Sequence, residues 1–243
     1  MTKILLEALL QVGLLIPFAI SFLKEKSKIN FQRLFIFAFC YIIYQTFLVL
    51  PKLNSIFDFI KSSWNWDGKI YGIICGILFY FLFRKYFREN DFFTLKQNKQ
   101  NFKSALIGAI IIVLLSTIVW FLLGKSDFDT ETLAFQLTVP GIDEEIMFRG
   151  ILLGLLASSL KEKIWFLGNP SVLITAILFG FMHALTLNKS NSIDFELIYF
   201  LQTSLAGYVW GWITIKSRSI LLAILSHNFS NFFGMVLIVV GKN

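Results

Sequence analysis

Eight apolar stretches, several of them close to twenty residues long, constrain the fold of this 243-residue chain more than any other feature. A helix needs about 20 apolar residues to cross the hydrocarbon core of a bilayer, and it satisfies its own backbone hydrogen bonds there. Only 15% of the residues are charged, whereas a soluble domain carries roughly 25%. The sequence therefore predicts an all-α, polytopic membrane protein with about eight transmembrane helices, at 4–23, 34–50, 70–83, 105–123, 133–160, 171–187, 197–213 and 220–240.

Lysine and arginine are distributed unevenly between the two sides of this predicted topology, and their excess marks the cytoplasmic side. The set of connections that includes 84–104 holds 14 of the 22 Lys and Arg residues, and the set with both termini holds seven. We expect both termini outside, in a multi-pass protein of the cell membrane. The composition, rich in Lys, Asn, Ile and Phe, indicates a bacterial source. The net charge of +7 follows from this bias, so the expected partner is the bilayer and not nucleic acid.

The chain is expected to form a single membrane domain, 1–243, whose two halves differ in chemistry. Predicted helices 1–4, within 1–123, carry no deep charge except Glu7 and have no assigned role. Predicted helices 5–8, within 130–240, carry all the candidate chemistry. Cys40 and Cys75 fall inside predicted spans, so we expect no disulfide framework.

Glu144-Glu145-x-x-x-Arg149 places three charges in an apolar stretch, where each charge costs about 2.5–3.5 kcal/mol at the centre of a spanning helix. Glu145 and Arg149 are four residues apart on one helical face and can neutralise each other. Glu144 lies about 100° around the helix and lacks that partner. This division predicts a structural Glu145 and a Glu144 that acts as a base near neutral pH.

Pro140-Gly141, just upstream, predicts a kink or a restart of the helix, because proline removes a backbone hydrogen bond and glycine relaxes the chain. Asp143 would then cap the restarted segment. Both glutamates would lie in its first turn, where the helix dipole favours negative charge.

The two histidines of the chain, His183 and His227, also lie in apolar stretches. Phe179 precedes His183 by one turn, and Asn231 follows His227 by one turn, so ring and amide project from one face. A lone buried histidine is more often a packed core residue than a catalyst. Two histidines, an amide and a glutamate at similar depth favour a site, and we expect helices 5, 6 and 8 to converge around one polar cavity.

Two mechanisms are chemically sensible for these residues, and their spacing in the sequence does not distinguish between the two. In one, Glu144 and His183 deprotonate a water that attacks a peptide carbonyl, while His227 and Asn231 donate hydrogen bonds to the oxyanion. In the other, zinc binds Glu144, His183 and His227 and activates the water. The amide of Asn231 suits an oxyanion better than zinc, so we expect no cofactor, with zinc as the alternative. Neither a His-Glu-x-x-His helix nor a Gly-x-Ser-x-Gly elbow occurs.

Together, Glu144-Glu145-x-x-x-Arg149, Phe179-x-x-x-His183 and His227-x-x-x-Asn231 resemble the ordered motifs of the CPBP intramembrane proteases, also called the Abi or CAAX prenyl protease family. Gly207-x-x-x-Gly211, a small-residue packing face, lies between them. The resemblance covers roughly residues 130–235. It implies an eight-helix membrane fold in which Glu144 and His183 activate water, His227 and Asn231 stabilise the oxyanion, and Glu145 and Arg149 support the site.

The resemblance implies an intramembrane endopeptidase acting on a membrane-associated protein or peptide. Eukaryotic members of the family cleave prenylated CAAX proteins, and bacterial members are linked to bacteriocin immunity and to peptide processing. Two alternatives stay open: a non-proteolytic immunity or regulatory protein of the same fold, and a proton-coupled transporter. Against the transporter, the charges cluster in one half and the chain shows no repeated halves.

Overall fold

The computed structural model describes residues 2–123, 129–165 and 167–242, and within these ranges the chain folds into eight long helices. These are α1 (Thr2–Ser21), α2 (Lys28–Leu48), α3 (Trp66–Phe83), α4 (Phe102–Leu123), α5 (three consecutive parts, Thr130–Glu145, Ile146–Leu152 and Leu153–Ser159), α6 (Pro170–Ala184), α7 (Leu197–Ser217) and α8 (Leu221–Lys242). Short helical turns lie in the connections, at Leu50–Leu53, Ser55–Phe57, Arg84–Tyr86 and Arg88–Asn90. Residues 124–128 of the predicted connection 124–132 lie outside the described residues.

The predicted fold class, an all-α polytopic membrane protein, is confirmed. Among the described residues, four helices are long and apolar enough to cross a membrane: Thr2–Ser21, Lys28–Leu48, Trp66–Tyr86 and Phe102–Leu122. Helices α6 and α8 contain shorter apolar stretches, at Pro170–Ala184 and Leu221–Leu237. Apolar side chains of α4 such as Ile110, Leu114 and Leu122 are exposed, as expected for a surface that lipid covers.

Three helices begin at polar side chains that accept hydrogen bonds from the first free backbone N–H groups. The Asn65 side chain accepts from Gly68 at the start of α3, and Asp129 accepts from Thr132 at the start of α5. Asn169 caps α6, with Pro170 at the first helical position. Because α3 begins at Trp66, it includes Lys69, which the sequence placed in the outer connection 51–69.

The predicted break at Pro140-Gly141 is absent, since α5 stays α-helical from Thr130 through Glu145. Its next seven residues, Ile146–Leu152, form a π-helix, a rare conformation that often occurs at functional sites. Asp143 is therefore not a helix cap, and neither glutamate lies in a first turn. A side chain from α8, Asn228, hydrogen-bonds backbone groups on either side of the proline, the kind of support that neighbouring helices give to proline-containing membrane helices.

A small β-hairpin, which the sequence did not predict, follows α6 directly. Its antiparallel strands are β1 (Leu185–Leu187) and β2 (Ile193–Phe195), in the register Leu185 opposite Phe195. Two side chains of α1 hold the outer edge of β1: Gln11 donates to the Leu185 carbonyl, and Glu7 accepts from the Leu187 N–H. Glu7, expected as a deep charge, thus anchors the hairpin.

The arrangement of the helices places α5 in the middle of the fold, packed against α2, α3 and α8. The helix pair α6 and α7 lies in close contact, and α8 also packs against α4. The side chains of the π-helical part of α5 are all buried. The charged groups of α5 from Asp143 to Arg149 are therefore surrounded by α2, α3, α6, α7 and α8, which supply their partners from other helices.

Candidate active site

The candidate residues of three helices meet in one buried cluster. Glu144, Glu145 and Arg149 lie on α5, and their relative exposures are 6%, 0% and 1%. His227 on α8 is buried as well, and His183 is half-buried at the end of α6. The structure thus brings together five of the six predicted site residues through direct contacts or electrostatic interactions, and the sixth, Asn231, lies one turn further along α8.

The expected ion pair between Glu145 and Arg149 is present, with Arg149 Nε 3.0 Å from Glu145 Oε2. The pair lacks hydrogen-bond geometry, and the guanidinium instead donates through Nη2 to the Gly207 carbonyl at 3.1 Å. Aromatic rings surround its remaining surface, with the Phe179 centroid 4.8 Å away. The charge is thereby stabilised by one carboxylate, one carbonyl and ring faces.

Glu145 has a second partner that the sequence did not indicate, since its Oε1 lies 2.8 Å from His227 Nδ1. A carboxylate only accepts, so Nδ1 carries the proton of this hydrogen bond. The His227 ring stacks on Trp210 with centroids 4.0 Å apart, which fixes its plane. Its Nε2 lies 3.8 Å from Glu144 Oε2. His227 is therefore oriented so that its second nitrogen faces the predicted base.

The prediction that Glu144 has no fixed counter-ion is wrong. Lys69, from the first turn of α3, places its Nζ 2.6 Å from Glu144 Oε1 and 2.9 Å from Asp143 Oδ2. The Tyr44 hydroxyl donates to the same Asp143 oxygen at 2.7 Å. Asp143, expected as a cap, instead joins α2, α3 and α5 through these polar contacts. The expected set of helices 5, 6 and 8 is accordingly incomplete, because α3 also reaches the site.

His183 is held by its own helix and by aromatic neighbours. Its Nδ1 lies 2.8 Å from the Phe179 carbonyl oxygen, which can only accept, so Nδ1 carries the proton. The ring packs against Phe179 and against Tyr199 of α7, with centroids 4.5 and 5.8 Å apart. His183 also interacts electrostatically with Glu144. In the neutral ring, Nε2 is left as an acceptor for a water or a substrate proton.

Asn231 is half-buried one turn beyond His227, and its side chain forms no hydrogen bond within the part of the chain that the structure describes. The side-chain amide that does form hydrogen bonds belongs to Asn228, the residue directly after His227. Asn228 accepts from the Gly141 N–H at 2.8 Å and donates to the Thr138 carbonyl at 2.9 Å. This side chain thus hydrogen-bonds two backbone groups on either side of Pro140, and these bonds help the helix to continue through the proline.

Gly207 and Gly211 allow α7 to approach the site closely. A Cβ at Gly207 would lie 3.2 Å from Phe179 and 3.4 Å from Arg149 Nη2, and one at Gly211 would lie 3.0 Å from Val172. The predicted small-residue face therefore packs against α6, and it also brings the Gly207 carbonyl to Arg149.

The donors as arranged do not fit a zinc ion. Among the described residues, no three His, Cys, Asp or Glu side chains are grouped as a metal site would require. The Lys69 ammonium lies 2.6 Å from Glu144 Oε1, and its positive charge would repel a divalent cation at that carboxylate. We therefore assign no step to a bound metal.

Lys69 is the main functional candidate that sequence reasoning missed. The signal was present in Asn65-Trp-Asp-Gly-Lys69, where a capping Asn and an acidic residue two positions later are typical of a helix start. That reading places Lys69 inside the helix, one turn from its start. The contact with Asp143 and Glu144, more than seventy residues away in sequence, has no local signature.

One family comparison matches the part of the chain that contains most of this cluster. Residues 127–233 match the family described as type II CAAX prenyl endopeptidase Rce1-like. No curated protein and no solved structure matches the chain. The matched segment holds Glu144, Glu145, Arg149, His183, His227 and Asn231 and excludes Lys69. Over this segment, the chain is similar to that family of CAAX-type endopeptidases, in agreement with the resemblance of its motifs to the CPBP intramembrane proteases.

Proposed function

We propose that the chain hydrolyses a peptide bond of a membrane-associated protein or peptide, with water activated by Glu144 and His183. The observation that carries this proposal is the meeting of α5, α6 and α8 at Glu144. Its Oε2 lies 3.8 Å from His227 Nε2, and the carboxylate interacts electrostatically with His183. A general base needs to reach its proton directly or through one water, and a carboxylate beside the His227 ring and in electrostatic contact with His183 suits that role.

In the proposed reaction, Glu144 takes a proton from the water, whose oxygen adds to the carbonyl carbon of the scissile bond. The His183 Nε2 accepts a hydrogen bond from the same water and orients it. When the tetrahedral intermediate collapses, the carbon–nitrogen bond breaks and Glu144 returns the proton to the departing amine nitrogen. The two products are a carboxylic acid and an amine, so atoms and charge balance without a further reactant.

The proposed oxyanion donors are His227 and Asn231. The hydrogen bond of His227 to Glu145 determines when this ring can act as a donor. His227 Nδ1 donates to Glu145, so the ring can donate from Nε2 only when both nitrogens carry protons. That imidazolium has a carboxylate beside each nitrogen, at 2.8 and 3.8 Å, which stabilises its charge. Glu145 thus supports the chemistry as well as the fold. Donors of this kind contribute about 2.7–4 kcal/mol each when removed singly.

We further propose that the protein works in the cytoplasmic membrane of a bacterium, with substrates presented by the bilayer. Support comes from the four candidate membrane spans and from the excess of lysine and arginine in one set of connections. In such a host, substrates without a prenyl group are the expected class.

The test compares purified wild type with Glu144→Gln and with Glu162→Gln, a control because Glu162 is exposed in the connection after α5. Internally quenched peptides, with and without a prenylated cysteine, serve as substrates in proteoliposomes. Glu144→Gln should lower kcat by a factor of about 10²–10⁴, and Glu162→Gln should match wild type. Membrane proteins and peptides of cells carrying wild type or Glu144→Ala are compared in parallel to find the natural substrate.

Two outcomes would count against this function. Cleavage by Glu144→Gln at the wild-type rate would remove Glu144 from the mechanism. A wild-type protein that cleaves none of the peptides and changes no cellular protein would favour the non-proteolytic immunity or regulatory role.

A further inference from the structure

Lys69 is a buried cation that lies outside the matched segment 127–233, yet it contacts the proposed base directly. We propose that Lys69 is a positioning residue for hydrolysis: it holds Oε1 of Glu144, so that Oε2 is the atom that takes the proton from water. This inference rests on the proposed function and assigns a role to α3 within it.

The two oxygens of Glu144 have different surroundings. Oε1 accepts from Lys69 Nζ at 2.6 Å, a short, charge-assisted hydrogen bond. Oε2 accepts no hydrogen bond from any residue that the structure describes, and it faces His227 Nε2 at 3.8 Å. A carboxylate held at one oxygen cannot rotate freely about its last torsion. The free oxygen is thereby kept on the side of His227, where the proposed reaction needs the water.

The charge balance of the cluster is consistent with this role. The described cluster has three carboxylates, at Asp143, Glu144 and Glu145, and two permanent cations, at Lys69 and Arg149. With neutral imidazoles, one negative charge remains. Asp143 shares the ammonium with Glu144 at 2.9 Å, so Lys69 is not paired with the base alone. The shared ammonium therefore binds only Oε1 of Glu144, and Oε2 has no hydrogen bond from Lys69.

A purely structural role for Lys69 is less well supported, because α3 and α5 already meet through glycines. A Cβ at Gly72 would overlap the Asp143 carboxylate, and a Cβ at Gly76 would overlap the side chain of Ile146. These two positions, one and two turns after Lys69, fix the approach of the helices by shape alone. The lysine is not needed to bring α5 to α3, and it is the residue of α3 that, among those described, forms a hydrogen bond and an ion pair with Glu144.

The experiment uses the full chain in proteoliposomes with the peptide that wild type cleaves fastest. Lys69→Met keeps much of the side-chain volume and removes the charge, and Lys69→Arg keeps a cation that can bind two carboxylates. Lys61→Met is the matched control, since Lys61 is exposed and pairs with Asp58 at the surface. The kcat of Lys69→Ala is measured with and without added propylammonium. Each variant is first checked for folded, monodisperse protein.

We expect kcat of Lys69→Met to fall by about 100-fold, the loss typical of a reacting group misplaced by about 1 Å, while KM changes less than about threefold. Lys69→Arg should stay within about tenfold of wild type, and propylammonium should restore part of the kcat of Lys69→Ala. Rescue by a free cation is a response that a merely structural role would not give.

Three results would overturn the inference. The first is wild-type kcat in folded Lys69→Met, and the second is a folded Lys69→Arg as slow as Lys69→Met. The third is loss of folded protein in every Lys69 variant, which would assign Lys69 to stability. Glu144→Gln is measured in the same assay. If wild type cleaves and Glu144→Gln does not, the proposed function is supported, and the results for the Lys69 variants then test only the role of Lys69. If wild type cleaves nothing, the proposed function fails and the inference falls with it.

Discussion

Replacement of Arg149 by alanine should destabilise the fold strongly, because the side chain is buried and every neighbour is arranged around its charge. Its loss would leave Glu145 with His227 as the remaining partner and would free the Gly207 carbonyl. Removing one partner of a buried ion pair costs about 3–5 kcal/mol. That is a factor of about 10²–10⁴ in the folded-to-unfolded ratio, and a large part of the roughly 5–15 kcal/mol that stabilises a domain.

The free energy of unfolding can be measured by titration with SDS in mixed micelles, followed by tryptophan fluorescence. Trp210 is a useful reporter, since it lies 5.6 Å from the guanidinium and stacks on His227. Arg88→Ala is the matched control: Arg88 is exposed in the connection after α3, so its loss should change stability by less than about 0.5 kcal/mol. Equal unfolding free energies for Arg149→Ala and Arg88→Ala would refute the assignment of Arg149 to the support of the site.

Three other outcomes follow from the site. Glu144→Gln should unfold at nearly the same SDS concentration as wild type, because Lys69 keeps Asp143 as a partner. A loss of unfolding free energy as large as that of Arg149→Ala would contradict the assignment of Glu144 to catalysis and of Arg149 to the support of the fold. Asn228→Ala should cost about 1–3 kcal/mol, since it leaves the Gly141 N–H buried without a partner, and an unchanged unfolding free energy would show that α5 satisfies this group otherwise. Active protein should contain far less than one zinc per chain by elemental analysis and should keep its activity after chelation. Stoichiometric zinc whose removal abolishes cleavage would reverse this last expectation.

The sequence predicted the helices and much of the cluster because both depend on patterns with a known period. Apolar length located the eight helices, and the i, i+4 spacing correctly paired Glu145 with Arg149. Contacts between distant helices have no such period. Nothing near Glu144 in sequence indicated Lys69, and nothing near Pro140 indicated that Asn228 would hydrogen-bond the backbone beside it. The predictions for Asp143 and for the helix break were wrong because they used rules for neighbouring residues in sequence. At both positions, contacts with residues of other helices determine the structure.

The contact between α3 and Glu144 also limits how freely the two halves of such a protein can be exchanged. Grafting the segment 127–233 behind an unrelated set of four membrane helices would leave the acidic pair Asp143 and Glu144 buried without its ammonium. A chimera could conserve every motif residue of the family and still be inactive. Its repair would begin with a single lysine, placed one turn inside the third helix, before any redesign of the interface between the halves.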